Sequence, residues 1–183
     1  MKQTALLIIF TISTFFSFSQ RQNITVTKKD GTVLNVKSYS NKVKFLKLNF
    51  ENGKTLELPY NQLNKIEYDY EYKSEIEKVI VEFVRISNRN GSLMEKVVNG
   101  KCNLYEGLAS YGTGGAVTTY YVKRENELIA TKIGSNSFVD LANYKKIALD
   151  YFKDCPTVIN KIEKKFKRKK AKELVEFYNE NCL

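Results

Sequence analysis

The side chains able to do chemistry concentrate in three places along this chain of 183 residues. Glu67, Asp69, Glu71, Glu75 and Glu77 are the densest carboxylates. Such groups could supply a glycosidase acid/base pair or the oxygen ligands of a calcium site, but their spacing fits no established set of either kind. Tyr68, Tyr70 and Tyr72 alternate with Asp69 and Glu71. In a strand the three rings share one face, because side chains alternate across a sheet. That aromatic face could stack on sugar rings, or it could pack as an edge strand against helices. The third place is strongly basic. Lys161, Lys164, Lys165, Lys167, Arg168, Lys169, Lys170 and Lys172 stand within twelve positions, with Glu163 the only acid among them. They form a candidate anion-binding surface for lipopolysaccharide, acidic lipid or glycan. The plainer reading is a solvated corner between helices, since Lys164 and Lys165 avoid the stripe of Ile162 and Phe166 and suit a helix C-terminus. With Phe166 its one aromatic, the run lacks the repeated interleaving of rings seen in single-stranded nucleic-acid binders, which argues against a nucleic-acid partner.

Composition narrows the chemistry further. The chain holds no histidine. Ser-His-Asp and Cys-His nucleophile activation both require an imidazole, as do most catalytic zinc sites. Only paired carboxylates or a Ser-Lys pair remain as catalytic options. Tryptophan is absent too, although 12 Tyr and 11 Phe could replace it as stacking groups. The Tyr111–Gly115 segment (YGTGG) is glycine-rich, but no Gly-Lys-Ser/Thr follows, so it is no phosphate loop. A mobile loop between strands is the expectation there. Nothing in the sequence implies a metal or a cofactor. The formal net charge of +10 favours anionic partners.

The beginning of the chain carries an address. Lys2 precedes the short apolar run Ala5 to Phe16, and Ser17 and Ser19 lie at the −3 and −1 positions of a cleavage site before Gln20. This is the layout of a secretory signal peptide. The run is too short to span a bilayer comfortably, so no transmembrane span is expected after its removal. The expected location is periplasmic or secreted. We divide the chain into a signal peptide (1–19), an N-terminal β-meander (20–72), a second antiparallel β region (73–134) and a C-terminal helical region (135–183).

Hydrophobic periodicity supplies the elements. Residues 24–69 read as five short strands, with Asp30-Gly31 and Asn52-Gly53 as hairpin turns and Ser40-Asn41 as another turn. This spacing predicts a meander or a small, strongly bent barrel. Glu77 to Ile86 is apolar on both faces and predicts a central strand. Leu93 to Val98 and Cys102 to Tyr105 flank the Asn99-Gly100 turn. Val117 to Arg124 and Leu128 to Ile133 predict a hairpin about Glu125-Asn126. Beyond Gly134 the period becomes helical. Ser137 with Asp140 resembles a capping box. Leu141, Tyr144, Ala148, Phe152 and Cys155 then line one face. Pro156 ends that helix and opens the next, which carries Val158, Ile159, Ile162 and Phe166. Ala171, Leu174, Val175, Tyr178 and Cys182 form a third stripe. The expected fold class is α+β: an N-terminal antiparallel meander or small barrel, a second antiparallel sheet and a C-terminal three-helix cap.

Three cysteines permit one intramolecular pair. Cys155 and Cys182 each continue a helical core stripe, so these two are expected to form a disulfide, which export allows to persist. Cys102 shares a strand face with Leu104 and reads as a small buried apolar residue. Three reduced, buried thiols are the alternative.

Several segments together resemble a group of uncharacterised exported proteins of Bacteroidetes. They are LPYNQLNKIEYD (58–69), Gly100-Lys-Cys-Asn-Leu104-Tyr105, Tyr120-Tyr-Val-Lys123, Tyr151-Phe-Lys-Asp-Cys155-Pro156 and Tyr178-Asn-Glu-Asn-Cys182. The likeness covers nearly all the mature chain, and the last two segments are the most specific. It implies an exported α+β domain and brings no activity with it. The basic 161–172 stretch and Cys102 depart from the pattern. The expectation for function is a non-enzymatic binding or accessory module of the cell envelope. Its partner would be an anionic envelope component or another exported protein. Alternatives are a carboxylate-dependent glycan hydrolase and a small inhibitor or accessory subunit.

Overall fold

A computed structural model describes residues 21–72, 75–110, 116–137, 142–167 and 169–182. The signal segment, the 111–115 glycine-rich segment, Arg168, Asp140 and Leu141 lie outside the described residues. The described strands are β1 (Arg21–Lys28), β2 (Val33–Asn35), β3 (Ser38–Asn41), β4 (Phe45–Asn49), β5 (Thr55–Pro59), β6 (Leu63–Tyr72), β7 (Glu75–Arg85), β8 (Gly91–Val98), β9 (Cys102–Ser110), β10 (Ala116–Arg124) and β11 (Thr131–Ser135). Three helices follow: α1 (Tyr144–Tyr151), α2 (Pro156–Lys165) and α3 (Ala171–Asn181). The fold is α+β, with antiparallel sheets and a C-terminal helical cap.

The N-terminal strands do not close into a barrel. β1 and β2 join an eight-stranded sheet of order β11-β10-β9-β8-β7-β6-β1-β2, while β3, β4 and β5 form a separate three-stranded sheet. The hand-over occurs at two consecutive amides. Val36 N–H donates to Ile24 O at 3.0 Å, and Lys37 N–H donates to Asn49 O at 2.8 Å. One backbone step thus transfers the chain from the large sheet to the small one. The large sheet also runs straight through position 72, because β6 and β7 pair from Ile66↔Val81 to Tyr72↔Glu75. β7 is interior, as its two apolar faces require. Ser40 and Asn41 are strand residues rather than a turn, since Asn41 pairs with Leu46. Gly31 and Gly53 hold positive φ in the expected turns.

Both layers cover one face of the large sheet. Directly opposed residues share a face. The row Ile66, Val81, Glu95, Glu106 and Tyr120 therefore runs along one side. Toward β1, Val26, Ile66, Val79 and Val81 pack on Leu46, Leu48 and Leu58 of the small sheet. Tyr60 stacks on Phe83 at 4.4 Å and joins the layers. Toward β11, Leu104, Val122 and Ile133 pack under Ala148, Phe152, Val158, Ile162 and Val175 of the cap. A small third cluster of Val84, Met94, Tyr105 and Ala130 lies elsewhere in the protein. Ala130 belongs to a loop that is longer than the expected hairpin turn. Its N–H reaches Arg85 O at 2.8 Å, and Leu128 stays exposed.

The helical stripes face inward as their periodicity requires. Asn143, not Ser137, caps α1, accepting from Lys146 N–H at 3.1 Å. Pro156 stands at the start of α2. Cys155 and Cys182 are disulfide-bonded, with Cα atoms 5.8 Å apart, and Cys102 is free and buried. The bridge joins the beginning of α2 to the end of α3. Replacing both bridging cysteines by Ala should lower stability by about 3 kcal/mol through restored loop entropy, read from urea unfolding of parent and variant. An unchanged midpoint would show that packing alone holds the hairpin.

Candidate functional site

The densest polar constellation lies where the cap meets the sheet. Arg124 at the end of β10 donates from Nη2 to Asp154 at 2.8 Å and to the Tyr151 carbonyl at 3.0 Å. Its Nη1 meets Glu127 at 3.2 Å, and Nε reaches the Tyr178 hydroxyl at 3.3 Å. The guanidinium also lies over the rings of Tyr151 and Tyr178, at 4.4 and 5.4 Å. Tyr151 donates to Glu127 at 2.7 Å, and Tyr178 donates to Asp154 at 2.6 Å. Burial, with Cys102 and Glu127 adding to it, pushes the Tyr151 hydroxyl well above its ordinary range. Burial also pushes the Cys102 thiol up to about 11, which removes the thiolate that reactivity needs. These groups satisfy one another, so the constellation is a lock.

The same lock draws on the segments Tyr151–Pro156 and Tyr178–Cys182. Tyr151, Asp154 and Cys155 come from the first, and Tyr178, Asn179 and Cys182 from the second. Asn179 accepts from Cys102 N–H and donates to Cys102 O, both at 2.9 Å. A Cβ on Gly100 would stand 2.4 Å from that amide, so only glycine fits there.

The basic run does form a cavity. A groove of about 330 Å³ opens at the α2–α3 connection, lined by Lys161, Ile162, Lys164, Lys165, Phe166, Lys167, Lys170, Glu173 and Leu174. Lys161 lies over the Phe177 ring at 3.9 Å, and Lys170 pairs with Glu173. Lys164, Lys165 and Lys167 are exposed, and their ammonium groups form no hydrogen bond or ion pair among the described residues, although the charge of Lys167 acts on Glu173. Lys169 is exposed but does not line the groove. Lys172 points elsewhere: its charge acts on Glu95 and Glu106 of the sheet.

The other sequence candidates scatter. Tyr68 is buried and Tyr70 half-buried, both in the core between the two sheets, while the Tyr72 side chain lies outside the described residues. Glu67 pairs with Lys65 at 3.0 Å, and Asp69 accepts from Asn23 at 2.8 Å. Glu77 sends its field toward Glu95.

Sequence reasoning missed a second groove, of about 340 Å³, lined by Tyr39, Asn41, Tyr68, Val81, Leu93, Glu95, Glu106 and Leu108. Glu95 and Glu106 are direct cross-strand partners in its floor. Like charges so placed repel. Neither forms a hydrogen bond or ion pair among the described residues. A register shift between Lys96 and Val98 creates this pairing, and no residue pattern announces it.

No family model, curated protein or solved structure matches the chain.

The carboxylate pair has a measurable signature. Burial, then the charge of Glu95, raises the Glu106 carboxyl above its ordinary range, and Lys172 opposes without cancelling. Burial and Glu77 raise Glu95 likewise. The folded chain therefore holds protons that the unfolded chain has released. Stability falls as pH rises out of the ordinary carboxylate range, and stays lowered above it. Glu106→Gln should make the protein more stable at neutral pH and leave it unchanged in acid, as seen in urea titrations at the two pH values. Equal gain at both would mean that the penalty is not electrostatic.

Proposed function

We propose that this chain is an exported, non-enzymatic binding module of the cell envelope, and that its ligand is anionic. The observation that carries the reading is the groove at the α2–α3 connection, where five of the eight basic candidates line one cavity. Among the described residues, the ammonium groups of Lys164, Lys165 and Lys167 form no hydrogen bond or ion pair there that a ligand would have to displace. The sequence adds the layout of an export signal and a resemblance to exported proteins. A disulfide fits an oxidising compartment, where such bonds persist. The polar constellation around Arg124 is spent on holding the cap, which leaves it no part in catalysis.

Retention on immobilised lipopolysaccharide and on heparin tests this reading. The parent protein should be held at low salt and released as ionic strength rises, because exposed charges are screened over about 10 Å at 0.1 M. Changing Lys164, Lys165 and Lys167 together to Gln should abolish retention on both. Undiminished retention of that variant would move the site elsewhere.

One observation favours a second reading, a carboxylate-dependent glycan hydrolase. Glu95 and Glu106 face one groove beside Tyr39 and Tyr68, and both hold their protons above the ordinary range. A general acid for glycoside cleavage needs such a carboxyl. Release of reducing sugar from a panel of glycans, lost in both Glu95→Gln and Glu106→Gln, would establish it. Absence of activity in the parent protein would remove it.

A further inference from the structure

The basic groove has an apolar element as well as a charged one, and together they identify the kind of anion. We propose that the tip of the α2–α3 hairpin docks on an anionic phospholipid surface. The Phe166 ring enters the interface while Lys164, Lys165 and Lys167 engage lipid phosphates. The inference rests on the reading of this groove as the binding site, and it names the ligand.

The lysines divide by what they already do. Lys161 and Lys170 are engaged within the protein, one by a ring and one by Glu173. The three cations without a hydrogen bond or ion pair among the described residues flank Phe166 in sequence, two before it and one after. Two of them stand in the last turn of α2. Phe166 is the C-cap of α2, with extended backbone at φ −77° and ψ 129°. The chain leaves the helix there, and the half-buried ring packs one side against the core of the cap while the other side stays open at the end of the hairpin. Its neighbours Ile162 and Leu174 are 1% and 7% exposed and are already covered by protein. Phe166 is thus the apolar group that the groove still offers to a ligand.

That arrangement separates two classes of anion. A polyanionic glycan gains chiefly from the lysines and at most stacks one sugar face on the ring, leaving the ring's other face in water. An acidic bilayer gains from both, since its interface takes up a ring while its surface potential attracts the surrounding ammonium groups. The cavity volume, about 330 Å³, lies at the low end for small-molecule pockets and is too small to take a two-chain lipid out of the bilayer. The hairpin therefore goes to the membrane. The bridge at the opposite end of the hairpin keeps α2 and α3 together during docking.

Co-sedimentation of the disulfide-bonded protein with vesicles of phosphatidylglycerol and phosphatidylcholine tests the proposal. Vesicles of phosphatidylcholine alone and a heparin column serve as the other arms. Phe166→Ser should weaken binding to the acidic vesicles roughly 10–100-fold, the value of one buried aromatic ring, while heparin retention is unchanged. The Lys164, Lys165 and Lys167 triple Gln variant should lose about 100-fold on the same vesicles and should also leave heparin. Inorganic phosphate at the lipid phosphate concentration should not compete, and full competition would reassign the site to a free anion. If Phe166→Ser binds vesicles like the parent, the lipid proposal fails and the anion-binding reading stands. If the triple variant keeps both interactions, both fail.

A second measurement does not depend on the Ser variant folding. Phe166→Trp creates the sole tryptophan of the chain. Its emission should shift to the blue on acidic vesicles and stay unmoved with heparin. A tryptophan that remains solvated on bound vesicles would overturn the insertion.

Discussion

The C-terminal third of this protein depends on one guanidinium. Arg124 ends strand β10 and meets the cap at three points: the last carbonyl of α1, Asp154 in the following turn, and Tyr178 of α3. The helices have 8, 10 and 11 residues. Isolated helices shorter than about 12–15 residues are marginal in water. The cap therefore persists because its apolar stripes find Leu104, Val122 and Ile133 on the sheet, and because Arg124 sets the position at which they do so. A guanidinium suits that task. Its donors point in fixed directions, and its flat face can lie on two tyrosine rings at once.

This lock divides the helical hairpin into two ends with different duties. At one end the Cys155–Cys182 bridge, Asn179 and the Arg124 network fasten helix to helix and helix to sheet. Polar groups there are consumed by structure. At the other end the chain turns from α2 to α3 through a lysine-rich connection, where several ammonium groups have no such commitment. Polar groups consumed by structure and exposed charges are thus separated along the length of the hairpin.

The sheet shows the opposite treatment of charge. Between the small sheet and the cap it carries Glu95 and Glu106 side by side, in a protein with 30 Lys and Arg. Lys172 eases their repulsion from a distance but does not pair with either. The two layers that cover this face leave a gap between them, and the carboxylates sit in it beside Tyr68, Val81 and Leu93.

Much of this was legible in the residues themselves. Periodicity of two, then of 3.6, separates the strands from the helices. The central position of β7 follows from its two apolar faces, and the Cys155–Cys182 pairing follows from stripes that must share a core. These are local properties, set by side-chain direction within one element. The path of β1 and β2 into the large sheet, the lock around Arg124, the groove beside Phe166 and the Glu95–Glu106 pair were not legible. All but the groove join residues distant in sequence or turn on a bulge that shifts register by one residue, and the groove needs the turn that brings residues 161–167 against residues 170–174. Hydrophobic pattern says which face of a strand is buried, but not which strand will lie beside it. Only the tertiary structure decided whether a lysine in a basic run faces open solvent, a ring or a carboxylate, because charge alone leaves all three open.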